Sequence, residues 1–215
     1  MAGFPVAQQD HLLELLHQGL DQMGLSLNAH QCDALINYLA LLVEWNQRMN
    51  LTGHDSLERM VSYHLLDSLS LIPYLKGKRI IDVGTGAGLP GIPLAIAVPD
   101  LSFCLLDSRQ KRIQFVRHVC WQLDIESVKA VESRMESFSD QAGFDTIVAR
   151  AVAEASSLMK DSRHLLVSDG QWALMKGSLP PEEQESIGQA HQVIRVSVPG
   201  IDHVRQIVVI PNSAP

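Results

Sequence analysis

The chain predicts a doubly wound α/β domain, a mostly parallel sheet covered by helices, behind an N-terminal helical cap. Three observations carry this. Residues 1–75 show apolar residues at helical spacing and no strand-like run. From Lys78 onward, apolar runs of strand length alternate with helix-period segments. Between the first such run and the helix after it lies Gly84-Thr85-Gly86-Ala87-Gly88, where an open α/β sheet binds its ligands.

In the cap, Leu12, Leu13, Leu15, Leu16, Leu20 and Met23 mark one face of a first helix, and Gly24 stops it. Asn28 caps a second helix carrying Leu35, Ile36, Leu39, Leu42 and Val43, which ends near Asn50. A short helix follows Asp55, and another holds Tyr63 to Leu71 before Pro73. Arg79 to Val83 reads as a buried parallel strand. Gly88 to Val98 is expected as a helix, with Pro90 and Pro93 in or near its first turn. Strands follow at 103–106, 128–131, 144–149 and 171–175, with helices at 109–123 and 154–166 among them and one opened by Pro180-Pro181. The last two strands, 193–198 and 204–210, flank Pro199-Gly200-Ile201-Asp202, which fits an antiparallel end to the sheet. Residues 1–75 and 76–215 are thus read as the cap and the main domain of one compact unit.

Composition narrows the function. Of 215 residues, 46% are hydrophobic and 19% charged, which is globular composition. The stretch from Ile92 to Val98 is too short and proline-interrupted to cross a bilayer, and the acids among the N-terminal leucines argue against a signal peptide. Three widely spaced cysteines, Cys32, Cys104 and Cys120, predict neither a disulfide framework nor a zinc site. The expectation is a cytoplasmic, monomeric protein with reduced thiols, no membrane partner and no metal. A formal charge of −7 argues against a generally basic nucleic-acid binder. That charge is segregated: residues 1–75 carry −6, residues 76–118 carry +4 and residues 119–215 carry −5. The basic centre coincides with the glycine loop, and a local basic face is what attracts a polyanion.

The loop sequence, Asp82-Val83-Gly84-Thr85-Gly86-Ala87-Gly88-Leu89, has Leu89 where a dinucleotide fingerprint needs its last glycine, which speaks against a nicotinamide oxidoreductase. It also lacks the lysine of a P-loop. Asp107 ends the second strand over the same crevice, where a carboxylate can accept from two vicinal ribose hydroxyls; a helix N-cap role there is compatible with that. Arg109 and Arg112 begin a helix beside the crevice, and Arg134, Arg150 and Lys176 sit at strand ends; these are the candidate contacts for the phosphates of a polyanion. Trp45 reads as core rather than as a stacking platform. His64 and Asp67 are one helical turn apart and able to pair, although an internal salt bridge or cap suits Asp67 better.

DVGTGAG followed by LLD resembles the first two motifs of class I S-adenosylmethionine-dependent methyltransferases. WNQRMNLTG, HLLDSL, LPGIPLAI, SRQKRIQFVR, ESRMESF, VARA and MKG extend the likeness, in order, from the second helix to the last strands. Together they resemble the bacterial 16S ribosomal RNA (guanine-N7) methyltransferases, the family also called RsmG or glucose-inhibited division protein B. The resemblance implies a Rossmann-like fold with a seven-stranded, mostly parallel sheet whose last strand is antiparallel. It implies S-adenosylmethionine as methyl donor, S-adenosylhomocysteine as product, and a guanine of the 530 loop of 16S rRNA as target (position 527 in the usual rRNA numbering). The partner would be that RNA, the small ribosomal subunit or an assembly intermediate. Asp82, Gly84, Gly86, Gly88, Leu89, Asp107, Met135, Glu136 and Arg150 are the cofactor contacts this implies, with Arg150 also a positioning group at the active-site mouth.

The residues suit that chemistry. Guanine N7 carries an in-plane lone pair and attacks without losing a proton. No general base or metal is required, and the task becomes alignment. A methyltransferase for a small molecule or protein has the same fold, and a non-catalytic RNA-binding relative also remains open. The basic centre favours RNA over the former; the intact loop and Asp107 favour catalysis over the latter.

Overall fold

A computed structural model describes residues 3–53, 55–151 and 154–212. The first two residues of the stretch read as no signal peptide lie outside these. Two long helices open the chain, α1 (Val6–Met23) and α2 (Ala29–Met49). Gly24 ends α1 in a left-handed conformation, its N–H turned back to Asp21 and Leu20. Asn28 and Gln31 form a reciprocal capping box on α2. Gln31 Nε2 then reaches the carbonyls of Ile96 and Ala97, tying the cap to a helix of the main domain. Asn46 closes the turn after α2 by exchanging two hydrogen bonds with the Thr52 backbone.

The two helices expected between Asp55 and Leu71 are one rod. It runs through α3 (Leu57–Met60), a π-helical stretch (Val61–Leu66) and α4 (Asp67–Leu69). A wide π turn inside a helix is uncommon and tends to mark functional sites. The second difference lies after β1 (Arg79–Val83): the helix expected from Gly88 starts at Gly91, as α5 (Gly91–Ala97). Residues 84–90 are a compact loop instead. Gly84 and Thr85 both donate to the Leu106 carbonyl, and Gly88 and Leu89 to that of Thr85.

The rest alternates as expected: β2 (Ser102–Asp107), α6 (Gln110–Gln122), β3 (Val128–Glu132), β4 (Phe144–Arg150), α7 (Ala155–Ser162), β5 (Leu166–Lys176), α8 (Pro181–Ser186), β6 (Gln192–Val196) and β7 (Arg205–Pro211). A third difference is that α7 ends at Ser162, and β5 begins far earlier than expected, at Leu166. Its register against β4 jumps from Phe144↔Leu166 to Thr146↔Gln171. Asn212 pins the irregular part through the Val167 and Gly170 carbonyls.

The sheet order is β3-β2-β1-β4-β5-β7-β6, with β7 antiparallel to both neighbours. The chain thus winds outward from β1 in one direction and from β4 in the other. The crevice beyond the carboxyl ends of β1 and β4 is the topological switch point. One face of the sheet packs on the cap, α5 and α6, with Leu16, Leu35, Leu39, Ile80, Ile92 and Phe103 in one apolar cluster. The other holds Ile81, Ile147, Met159 and Trp172, whose indole N–H donates to Ser162 Oγ (2.9 Å). No helix among the described residues is long and apolar enough to cross a membrane.

Candidate active site at the switch point

Two cavities open over the carboxyl edge of the sheet. The smaller, about 410 Å³, is lined by Gly84, Asp107, Arg109, Arg112, Met135 and Arg150 among others. The larger, about 530 Å³, is lined by Tyr63, His64, Asp67, Arg150, Lys176 and Arg205 among others. Arg150 and Ala151 border both. Ala151 has a left-handed backbone (φ 57°), uncommon for a residue with a side chain and a mark of local strain.

The glycine loop forms the floor of the smaller cavity. Gly84 has φ 71°, and a Cβ there would meet nothing within 4 Å, so its bare backbone faces open space that a ligand can approach. At Gly91 the opposite holds: a Cβ would lie 2.8 Å from both Asp82 Oδ2 and Leu105 Cγ. That close approach is what lets Asp82 staple the loop. Its Oδ2 accepts from Thr85 Oγ1 (2.6 Å) and from the Gly91 N–H (2.9 Å). Asp82 is fully buried, and its other oxygen has no hydrogen-bond partner among the described residues.

Asp107 ends β2 with its carboxylate at the rim, 4% exposed. Its Oδ1 accepts from the Arg109 N–H (2.9 Å), which sets the start of α6. Its Oδ2 accepts from the Gly86 N–H (3.0 Å) and from Arg112 Nη1 (3.0 Å). Asp107 therefore fastens the loop to α6 and faces the cavity.

Of the expected contacts, Gly84, Asp107, Met135, Glu136 and Arg150 line this cavity, and Gly86 donates to Asp107 beside it. Met135 and Glu136 lie in a 3₁₀ turn after β3. Asp82, Gly88 and Leu89 stand behind the wall: Leu89 is 4% exposed and belongs to the apolar cluster. Arg109, Arg112 and Arg134, the candidate RNA contacts, line the same cavity. Lys176 does not join them. It is 7% exposed, lines the larger cavity and pairs with Glu183 at 2.5 Å.

The larger cavity was not legible as a site. His64 and Asp67 do not pair; Asp67 takes the internal salt-bridge role that the sequence reading favours. Asp67 instead faces Arg205 Nε (3.0 Å, the N–H not aimed at the oxygen) and Arg150 Nη1 (3.9 Å). Arg150 Nη1 also donates to the Tyr63 carbonyl (2.8 Å). Arg205, Glu183 and Tyr63 give no signal in the sequence; HLLDSL, VARA and MKG, with Lys176, are what point here. Trp45 packs between Phe115 (5.4 Å) and His118 (5.0 Å) at the cap's flank. No group of His, Cys, Asp and Glu among the described residues is placed to hold a metal ion.

Two buried groups set a pH signature. Burial pushes Asp82 up to about 6, against the hydrogen bonds from Thr85 and Gly91 that pull it down. Burial, helped by Arg150, pushes His64 down to about 4. The raised Asp82 contributes stability below its unfolded value near 4, which is lost as pH rises through about 6. The lowered His64 does the reverse: its contribution is present above about pH 6.5 and lost as pH falls through about 4. The two slopes oppose each other. Asp82→Asn keeps both acceptor bonds and removes one slope. Its Tm relative to wild type is expected to be higher at pH 7 than at pH 4.5, by an amount worth on the order of 1–2 kcal/mol. Thermal unfolding at the two pH values checks this; a constant difference contradicts it.

Comparisons agree with this geometry. A family model described as rRNA small subunit methyltransferase G matches residues 31–208. "Ribosomal RNA small subunit methyltransferase G" of Chromobacterium violaceum is 49% identical over 197 residues, covering 90% of this chain and 94% of that protein. The same-named protein of Legionella pneumophila (strain Philadelphia 1) is 45% identical over 199 residues, with 93% and 94% covered. That of Coxiella burnetii (strain RSA 331) is 40% identical over 202 residues, with 94% and 99% covered. Among solved structures, a SAM dependent methyltransferase from Aquifex aeolicus superposes with TM-score 0.51 at 16% identity, covering 68% of this chain and 90% of that one. M. jannaschii TYW2 in complex with AdoMet gives 0.52 at 10% identity, with 63% and 68% covered. These distant structures show the fold, that of class I S-adenosylmethionine-dependent methyltransferases. The family match and the close relatives show more: the chain belongs to the rRNA small subunit methyltransferase G family.

Proposed function

We propose that the chain transfers the methyl group of S-adenosylmethionine to N7 of a guanine in the 530 loop of 16S rRNA. Family membership supports the coarser statement, methylation of small-subunit ribosomal RNA. The guanine N7 and the 530 loop are what the resemblance implies; what supports a two-reactant site in this chain is the pair of cavities meeting at Arg150 and Ala151. One suits the methyl donor and the other a base, so the two reactants are held side by side.

The smaller cavity fits the cofactor. Asp107 offers a carboxylate to a ribose diol, Gly84 leaves room for close approach, and Met135 supplies an apolar wall. When bound, S-adenosylmethionine supplies a sulfonium methyl; the N7–carbon bond forms as the carbon–sulfur bond breaks, S-adenosylhomocysteine departs and no proton is lost. The protein's work is then to hold N7 in line with that methyl and to keep water out. Arg150, braced by the Tyr63 carbonyl and near Asp67, fixes the wall between the reactants. The rim arginines Arg109, Arg112 and Arg134 supply phosphate contacts. The partner is the small ribosomal subunit, its RNA or an assembly intermediate, and the chain acts as a monomer in the cytoplasm.

The test is methyl transfer from labelled S-adenosylmethionine to small subunits lacking the modification, followed by chain scission specific for N7-methylguanine. A single cleavage in the 530 loop is expected. Label on protein, on another base or nowhere rejects the proposal.

A further inference from the structure

The larger cavity contains a side chain whose chemistry the fold leaves unused. His64 sits in the π-helical stretch and is 6% exposed, yet it lines the cavity beside Tyr63, Asp67 and Arg150. Among the described residues neither ring nitrogen makes a hydrogen bond of normal geometry, the Tyr63 backbone being a polar neighbour that favours the charged ring. The nearest acid on its own helix does not supply one, because the Asp67 carboxylate faces Arg205 and Arg150. Unpaired buried donors and acceptors are disfavoured, and native proteins that keep one call for an explanation such as a ligand or a water.

The environment also fixes what kind of ligand suits it. Burial and the neighbouring Arg150 charge hold the imidazole neutral. A neutral imidazole presents one N–H and one lone pair. That is the wrong partner for a phosphate, for which Arg150, Arg205 and Lys176 already line the same space. It is the right partner for the flat, uncharged edge of a nucleobase, where a donor lies beside an acceptor. Guanine offers O6 and N1–H in that arrangement, and one tautomer or the other of the ring meets either.

We propose that His64 positions the target base: its ring hydrogen-bonds the O6/N1–H edge of the guanine and so fixes the rotation that presents N7 to the smaller cavity. This rests on the reading that the guanine enters the larger cavity. Without that bond the base still enters, held by its backbone and stacking, but samples orientations in which N7 is not in line. The loss then falls mainly on turnover rather than on RNA binding. Because an orphaned polar ring is replaced by an apolar group of similar size, His64→Leu removes a burial cost from the free protein and leaves its stability equal or higher.

The experiment compares wild type, His64→Leu and His64→Gln in steady-state methylation of small subunits. It adds S-adenosylhomocysteine binding by calorimetry and thermal unfolding of each protein. For His64→Leu, kcat is expected to fall about 10- to 100-fold, the equivalent of one or two unmade hydrogen bonds. KM, the dissociation constant for S-adenosylhomocysteine and Tm are expected to stay at wild-type values, with Tm equal or higher. His64→Gln, which keeps a donor and an acceptor, recovers most of kcat. Wild-type kcat in both variants overturns the proposal. So does a loss in His64→Leu that tracks a lower Tm or weaker cofactor binding, since that is the mark of a structural histidine. A wild-type protein that methylates no guanine N7 fails at the underlying reading instead.

Discussion

Replacing Asp107 by Ala is expected to weaken S-adenosylmethionine binding about 30- to 100-fold, or about 2–3 kcal/mol, as measured by calorimetry. Each charge-assisted hydrogen bond to a hydroxyl is worth about 1.5–3 kcal/mol, and a diol makes two. The net falls short of the sum because the same carboxylate oxygen already accepts from Arg112 in the free protein, so the diol competes for it. The substitution also leaves the Gly86 and Arg109 N–H groups without their acceptor, which loosens the loop against α6. Arg112→Ala is the control that separates charge pairing from cofactor contact. It is expected to leave cofactor affinity within a few-fold while weakening RNA binding and lowering its salt dependence. Cofactor affinity unchanged in Asp107→Ala would remove the smaller cavity from the account.

Arg150→Ala has the larger effect on turnover. The guanidinium sits on the border of both cavities, anchored to the Tyr63 carbonyl at 2.8 Å. Its removal leaves Asp67 with Arg205 alone. Burial already raises the Asp67 carboxyl, and both arginines hold it down. Losing one lets the carboxyl rise further and opens the wall between the reactants. A fall in kcat of about 100- to 1000-fold is expected, the scale seen when a preorganised group at a reacting centre is lost. Cofactor affinity should change far less, because Asp107 and the glycine loop remain. A variant with wild-type kcat would show that Arg150 is a bystander at the border.

How much of this was legible in the sequence follows from what is local along the chain. The glycine loop, Asp107 and the start of α6 lie within thirty residues, and glycine spacing with strand-end position was enough to place them. The same holds for Gly24 and Asn28, whose capping chemistry is read from a few neighbours. The larger cavity is different. Its wall joins the π-helical stretch of the cap to Arg205 on β7, which inserts antiparallel between β5 and β6. Nothing near Arg205 in sequence announces Asp67 as its partner. The π turn was invisible for a related reason: 3.6-residue periodicity cannot register one widened turn, so the rod was read as two helices. The start of α5 at Gly91 rather than Gly88 follows from Asp82, whose carboxylate holds Thr85 and Gly91 and so keeps residues 84–90 in a loop. The early start of β5 hangs on Asn212, at the far end of the chain. For Lys176 the strand end predicts the crevice, where it lines the larger cavity, but not its pairing with Glu183.

On the proposed function, methyl donor and guanine meet at Arg150. The most direct measurement is mapping of N7-methylguanine in 16S rRNA from cells without this protein, complemented by wild type, Asp107→Ala or Arg150→Ala. The prediction is one 530-loop guanine methylated with wild type, absent without the protein and strongly reduced with either variant at equal protein level. A guanine still methylated in cells lacking the protein, or fully methylated by both variants, would contradict it.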